Sequence, residues 1–308
     1  MLEVVAGVLR DAGGRVLLTQ RGPGSDLAGL WEFPGGKREP GESADAALRR
    51  ELHEELGIEV GGLRPLIAVP QAYPDKRIRL DVYEILDYRG EPRGREAQAL
   101  AWAAPGALTD FSMPPADVPV VAALCAPAHY AITPDLDADA ATFIARCEAM
   151  LERGIRRLQL RVPTADAEAR AWLARALLPR CRAVAADLLV NGDVALARAL
   201  GIGLHLRSAQ LREFSQRPLP AGQLLAASCH DREELQRARA LGVDFVVLGP
   251  VRPTASHPDA QALGWGGFAA LREQCDLPIY ALGGLGPDDL ATARAHGAQG
   301  IAGIRAFG

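Results

Sequence analysis

The chain has 308 residues, 49% hydrophobic and 23% charged, a globular composition long enough for two cores rather than one. Its formal net charge of -4 leaves no basic footprint for a polymeric nucleic acid, and no apolar run reaches membrane-spanning length. The five cysteines (Cys125, Cys147, Cys181, Cys229 and Cys275) are scattered without a CxxC, which argues against a disulfide framework or a zinc site and for buried free thiols in a reducing cytoplasm.

The N-terminal MLEVVAGVLRDAGGRVLL has no basic region ahead of a long apolar core, so no signal peptide is expected. Residues 4–9 and 15–20 read as strands around a turn at 11–14. A helix is predicted over 43–56, with Ser43 as its N-cap and Gly57 as its C-terminal glycine. Residues 67–73 and 78–86 make a second strand pair, and a short helix at 118–125 closes the first part. From Tyr130 onward, short apolar runs alternate with Ala/Arg/Glu/Leu-rich helical stretches. The runs are YAIT, LQLR, LLVN, GLHL, LLAAS, FVVLG, IYALGG and GIAGI. Eight such runs fit a (β/α)8 barrel, although doubly wound sheets alternate in the same way. The boundary falls near residues 126–128, giving domains 1–126 and 130–308.

The densest chemistry lies in GKREPGESADAALRRELHEELGI, which packs six acids into 23 residues. Glu51, Glu54 and Glu55 stand at i, i+3 and i+4, on one face of the predicted helix. Three adjacent carboxylates repel one another, and a hard divalent cation removes that repulsion. Such a site suggests phosphate chemistry. Glu42 lies one turn before the helix and can hold water or a second ion. Gly35 and Gly36 let backbone approach closely, and a carbonyl there can add an oxygen ligand.

The order Gly36, five residues, Glu42, seven residues, Arg50-Glu51-Leu52, one residue, Glu54-Glu55, one residue, Gly57-Ile58 resembles the signature box of the Nudix hydrolases. Beyond the box, WEFPGGKREPGE, AYPDKRIRLDVYE, GEPRGREAQALAW and FSMPPADVPVVAAL resemble, in order, the MutT-type 8-oxo-dGTP pyrophosphohydrolases over about the first 125 residues. The resemblance implies an α/β fold, a Nudix α/β/α sandwich. It implies Mg²⁺, or Mn²⁺, held by Glu51, Glu54, Glu55, Glu96 and Gly35, with Glu51 or Glu96 as the base. Arg50 orients a glutamate, Arg21 contacts phosphates, and Phe33 lines the base pocket unless it is plain core. Asp117 stands where the family has an asparagine, and Lys76 where it has an arginine. An ionised aspartate only accepts hydrogen bonds, whereas a protonated one in a dry pocket also donates; Asp117 also suits a helix N-cap.

The second part resembles the thiamine-phosphate synthase and TenI family over about 130–308, which implies a TIM barrel with its active face at the strand ends. YAITPD, LQLR, LLVN, GLHL, SCH, LGPVRPTASHPDA and ALGGLGPDDL carry that resemblance. Gly283 and Gly284 suit a phosphate-binding turn. The family's catalytic pattern is broken. Its Asn-Asp pair is Asn191-Gly192 here, its second aspartate is Gln210, one lysine gives way to Val162-Pro163-Thr164, and another is His257. Gln159, Arg161, Asn191, Ser228 and His230 remain to bind a small phosphorylated ring, with His230 either an acid/base or a helix-start histidine and His205 structural.

The expected activity is Mg²⁺-dependent hydrolysis of a small nucleoside triphosphate, 8-oxo-dGTP to 8-oxo-dGMP and pyrophosphate, in a cytoplasmic protein with no membrane or polymeric nucleic-acid partner. Two alternatives stand beside it: cleavage of a thiamine-like pyrophosphate coupled to the barrel, and a barrel that only binds a ligand or acts as scaffold.

Overall fold

The computed structural model describes residues 1–136, 139–254 and 261–307. The His257 substitution noted above lies outside the described residues. The chain divides into two compact units: Met1–Ala126 with Arg272–Asp276 and Arg294–Gln299, and Pro127–Leu271 with Leu277–Ala293 and Gly300–Gly308.

The first unit is built on β1 (Leu2–Val8), β2 (Val16–Gln20), β3 (Trp31–Glu32), β4 (Gly35–Lys37), α1 (Ala44–Leu56), β5 (Glu59–Val60), β6 (Leu63–Ala72), β7 (Arg77–Ile85), β8 (Tyr88–Arg89), β9 (Leu100–Ala103) and α2 (Val118–Cys125). A four-stranded sheet in the order β4-β1-β7-β6 lies beside a three-stranded sheet, β3-β2-β9, and a β5-β8 pair. Strand β1 sorts its side chains by the two-residue period of a strand. Val5 joins Leu48, Leu52 and Leu56 of α1 in one core, whereas Ala6 and Val8 join Val120 and Val121 of α2 in another. A helix on each face of the sheet makes the predicted sandwich. Each of the three fully buried leucines of α1 contributes about 2 kcal/mol by leaving water. The Ser43 hydroxyl accepts from Ala46 N–H, and Gly57 ends α1 at a left-handed φ of 72°, as the sequence suggested. One expectation changes: Asp117 sits at the start of α2, but its side chain makes no capping bond.

The second unit is a closed barrel of eight parallel strands: β10 (His129–Ile132), β11 (Arg157–Leu160), β12 (Asp187–Asn191), β13 (Gly203–Leu206), β14 (Leu225–Cys229), β15 (Phe245–Leu248), β16 (Ile279–Leu282) and β17 (Gly300–Gly303). This closure decides between the barrel and the doubly wound sheet. The helices α3 (Ala140–Glu152), α4 (Ala167–Ala183), α5 (Val194–Leu200), α6 (Arg232–Leu241), α7 (Gly264–Arg272) and α8 (Leu290–Ala295) alternate with the strands, except that β13 and β14 are joined through a 3-10 turn at Ser208–Arg212. The interior is packed by Tyr130, Leu189, Ala226, Phe245, Val247 and Tyr280. Its polar groups are paired: Gln159 donates to the Tyr130 hydroxyl (3.1 Å), whose oxygen lies 3.1 Å from His205 Nδ1, and His205 Nε2 lies 2.8 Å from Ser228 Oγ. Burial pulls the His205 pKa down to about 3, so the ring is neutral. Four cysteines are buried as free thiols, but Cys125 is exposed, contrary to expectation, because it occupies the outer face of the last turn of α2. Among the described residues, no helix is long and apolar enough to cross a membrane.

Candidate active site and barrel mouth

In the first unit the acidic face of α1 lies against β4. Gly36 pairs with Val5 and Gly35 with Ala6 in the antiparallel β1-β4 ladder. A Cβ on Gly36 would overlap the Glu51 carboxylate, and one on Gly35 would overlap the Val5 carbonyl. Only glycines let this strand approach both neighbours. The Gly35 N–H donates to Glu55 Oε2 (3.2 Å).

Arg50 bridges the acids. Its Nε and Nη2 bind both oxygens of Glu42 (3.1 and 3.0 Å), and its Nη1 reaches Glu51 (2.9 Å) and Glu54 (3.2 Å). The bidentate partner is therefore Glu42, whose carboxyl Arg50 holds below the usual range. Burial lifts Glu51 above it, opposed by Arg50 and reinforced by Glu54 and Glu96. Burial pushes Glu55 up to about 8, with Glu51, Glu96 and Glu32 adding repulsion. Glu96 stands on an exposed loop, within electrostatic reach of both.

Among the described residues, no three His, Cys, Asp or Glu side chains form a ready-made metal cage. The donor set nevertheless fits a hard divalent cation: Glu51 and Glu55, whose ionisation burial and then neighbouring carboxylates oppose, face a strand that only glycines can form.

A second group lies beside the first. Phe33 is 3% exposed and packs in the core shared with α2; its N–H points to Asp117 Oδ1 (3.4 Å). Burial pushes Asp117 up to about 8, and the charge of Glu32 adds to the shift. Arg21 pairs with Glu32 and donates to the Asp26 carbonyl (2.6 Å). Lys76 pairs with Asp26 and lies 5.7 Å over the Tyr73 ring. Arg21 and Lys76 are thus held by carboxylates in this structure. Glu32 and Tyr73 escaped the sequence reading. Glu32 is the acid next to Phe33 in WEFP, and its field reaches both Glu55 and Asp117.

In the second unit, Gln159, Arg161, Asn191, Ser228, His230, Gly283 and Gly284 all line one cavity of about 1300 Å³ at the strand ends. Gln159 and Ser228 form its floor through the buried polar chain described above. His230 Nδ1 lies 2.9 Å from Glu234 and its N–H donates to the same carboxylate, the geometry of a helix-start histidine. Gly283 and Gly284 have positive φ of 113° and 62°. The sequence reading missed Arg170, Arg207 and Arg305 in this lining. Arg207 directly follows β13 and Arg305 follows β17 by two residues, so their strand-end positions were the available signal.

The resemblance to thiamine-phosphate synthases implies two aspartates that hold a magnesium ion in the barrel, and the residues at those two positions, Gly192 and Gln210, do not fit that ion. Gln210 donates to the Gly192 carbonyl (3.0 Å) and accepts from Arg207 N and Nε (both 3.2 Å), so both ends of its amide are engaged. Asp193 caps α5 through Leu196 N–H and pairs with Arg170 (3.0 Å).

Residues 5–123 match the NUDIX domain family, and residues 129–307 match the thiamine monophosphate synthase family. The CTP pyrophosphohydrolase of Escherichia coli is 41% identical over 126 residues, 41% of this chain and 93% of that protein. The 8-oxo-dGTP diphosphatase of Haemophilus influenzae is 38% identical over 129 residues, 42% of this chain and 95% of its own. The thiamine-phosphate synthase of Thioalkalivibrio sulfidiphilus is 36% identical over 176 residues, 56% of this chain and 83% of its own.

Proposed function

Since the chain belongs to the Nudix family through its first unit and to the thiamine monophosphate synthase family through its second, we propose that it is a Mg²⁺-dependent nucleoside triphosphate pyrophosphohydrolase acting on 8-oxo-dGTP. The observation that carries this reading is the crowd of acids on α1, with Glu55 pushed up to about 8 beside a strand that carries no Cβ at Gly35 and Gly36.

Glu51, Glu54, Glu55, Glu96 and the Gly35 carbonyl would hold the ion. When bound, magnesium supplies charge to neutralise the triphosphate and acidity to the attacking water. Glu51 or Glu96 takes the proton of that water. Arg50 keeps Glu51 and Glu54 pointing to the reaction face. Attack at the β phosphorus releases 8-oxo-dGMP and pyrophosphate.

Asp117 supports a base reader. A neutral carboxylic acid offers a donor beside an acceptor, as an asparagine does. Normal guanine presents two acceptors, O6 and N7, on its major-groove edge. Oxidation at C8 places a hydrogen on N7, and that edge then matches a neutral acid. Cytosine, with N3 accepting and its amino group donating, matches it too, and the identity to a CTP pyrophosphohydrolase favours that second reading.

The test is kcat/KM with Mg²⁺ for 8-oxo-dGTP, dGTP, CTP and thiamine pyrophosphate. A tenfold preference for the oxidised nucleotide, about 1.4 kcal/mol in transition-state terms, supports the first reading. Preference for CTP supports the second, and faster turnover of the thiamine compound overturns both.

For the barrel, the loss of both aspartates means that condensation of the two thiamine precursors is abolished. Robust product formation in a synthase assay would refute this.

A further inference from the structure

Two acids of the first unit, Glu32 and Asp117, face a single cation. Asp117 is 5% exposed and meets the N–H of Phe33 at 3.4 Å. Among the described residues, no arginine, lysine or histidine lies within ion-pair distance of it. Glu32 directly precedes Phe33. Arg21, which directly follows β2, is the cation whose charge acts on both acids, and its contacts commit it to one. Its Nη1 pairs with the Glu32 carboxylate, and its Nε donates to the Asp26 carbonyl (2.6 Å). Where two acids face one arginine, the acid that holds the arginine ionises and the other keeps its proton.

The other neighbours leave this balance alone. Tyr73, after β6, bonds to the backbone of Ala116 beside Asp117, and burial opposes ionisation of its hydroxyl. Lys76 lies over the Tyr73 ring and pairs with Asp26. From α2 the core presents Val120 and Val121. From α1, Glu55 feels the charge of Glu32, and burial opposes its own ionisation.

We infer that Glu32 is a positioning residue for base specificity: held as the anion by Arg21, it keeps the proton on Asp117 and so sets which base edge Asp117 accepts. The inference rests on the reading of Asp117 as the base reader. It goes beyond that reading by assigning control of the reader to a side chain that need not touch the base.

The test is carboxyl-carbon NMR of the full-length protein in EDTA, with labelled aspartate and Asp117 assigned by its loss in Asp117→Asn. Wild type should titrate at about pH 8. Glu32→Gln keeps the size of the side chain and removes its charge. It should move the Asp117 midpoint to lower pH by at least about half a pH unit. Glu32→Asp keeps the charge and should stay closer to wild type. The second readout is kcat/KM with Mg²⁺ for 8-oxo-dGTP and for CTP, each over dGTP, from pH 6.5 to pH 9 and referred to the same ratio in Asp117→Asn. The pH at which the preferred nucleotide loses its advantage should fall in Glu32→Gln together with the carboxyl midpoint. Adding Glu32→Gln to Asp117→Asn should leave the ratio unchanged. An Asp117 midpoint equal in wild type and Glu32→Gln would mean that burial alone holds the proton, and would overturn the proposal. A midpoint that moves while the base preference does not would remove Asp117 as the reader and with it Glu32 as a specificity residue, so the two failures are told apart.

Discussion

The Asp117 carboxylate lies 3.4 Å from the N–H of Phe33, a residue 84 positions earlier, and is buried there at 5% exposure. Its pKa is pushed up to about 8 by that burial, with the charge of Glu32 adding to it.

This burial gives a pH dependence with a definite sign. Between the unfolded value near 4 and the folded value of about 8, the folded chain holds a proton that the unfolded chain has released. Asp117 therefore lowers stability as pH rises through that window, by about 1.4 kcal/mol per unit, and the effect levels off above it. Asp117→Asn removes the slope. Melting curves of both proteins from pH 5 to pH 8 should show the asparagine variant gaining on wild type as pH rises. Parallel curves would mean that Asp117 is ionised in the fold.

Arg50 touches Glu42, Glu51 and Glu54 at once. A lysine supplies the charge but cannot span three carboxylates with fixed geometry. Arg50→Ala should lower kcat by about a hundredfold, and Arg50→Lys by about tenfold. Steady-state kinetics at saturating Mg²⁺ checks this, and a lysine variant as fast as wild type would remove Arg50 from the orienting role.

The two glycines of β4 should separate function from folding. In Gly36→Ala the new methyl meets the mobile end of Glu51, so the carboxylate moves and turnover falls at least about a hundredfold, with Tm shifting less than about 4 °C. In Gly35→Ala the methyl meets the Val5 backbone, at a φ of 153°, and stability drops by about 2 kcal/mol. Equal Tm losses in the two variants would contradict the geometry.

What the sequence revealed depended on the range of each interaction. Helix α1 was legible because Ser43, Gly57 and the Glu spacing are all local. The eight barrel strands were legible as apolar runs bounded by helical stretches. Strands β3, β5 and β8 have two residues each, too few to display alternation. The partners of Glu32 were hidden because Arg21 reaches it across a loop. Asp117 reads locally as a cap before Val118-Pro119, and only the tertiary fold turns it toward Phe33. Arg207 could be placed at a strand end from sequence, but its approach to Gly192 follows from the β12-β13 register, in which Asn191 pairs with His205.

The central claim is that the acids of α1 are tolerated because they share a divalent cation with a nucleotide pyrophosphate. The most direct measurement is calorimetric Mg²⁺ titration of the full-length protein and its Glu54→Gln/Glu55→Gln variant, with 8-oxo-dGTP and CTP turnover read on the same samples. The account predicts that the variant loses the Mg²⁺ heat and at least about a hundredfold in kcat/KM. Unchanged cation binding and turnover in that variant would contradict it.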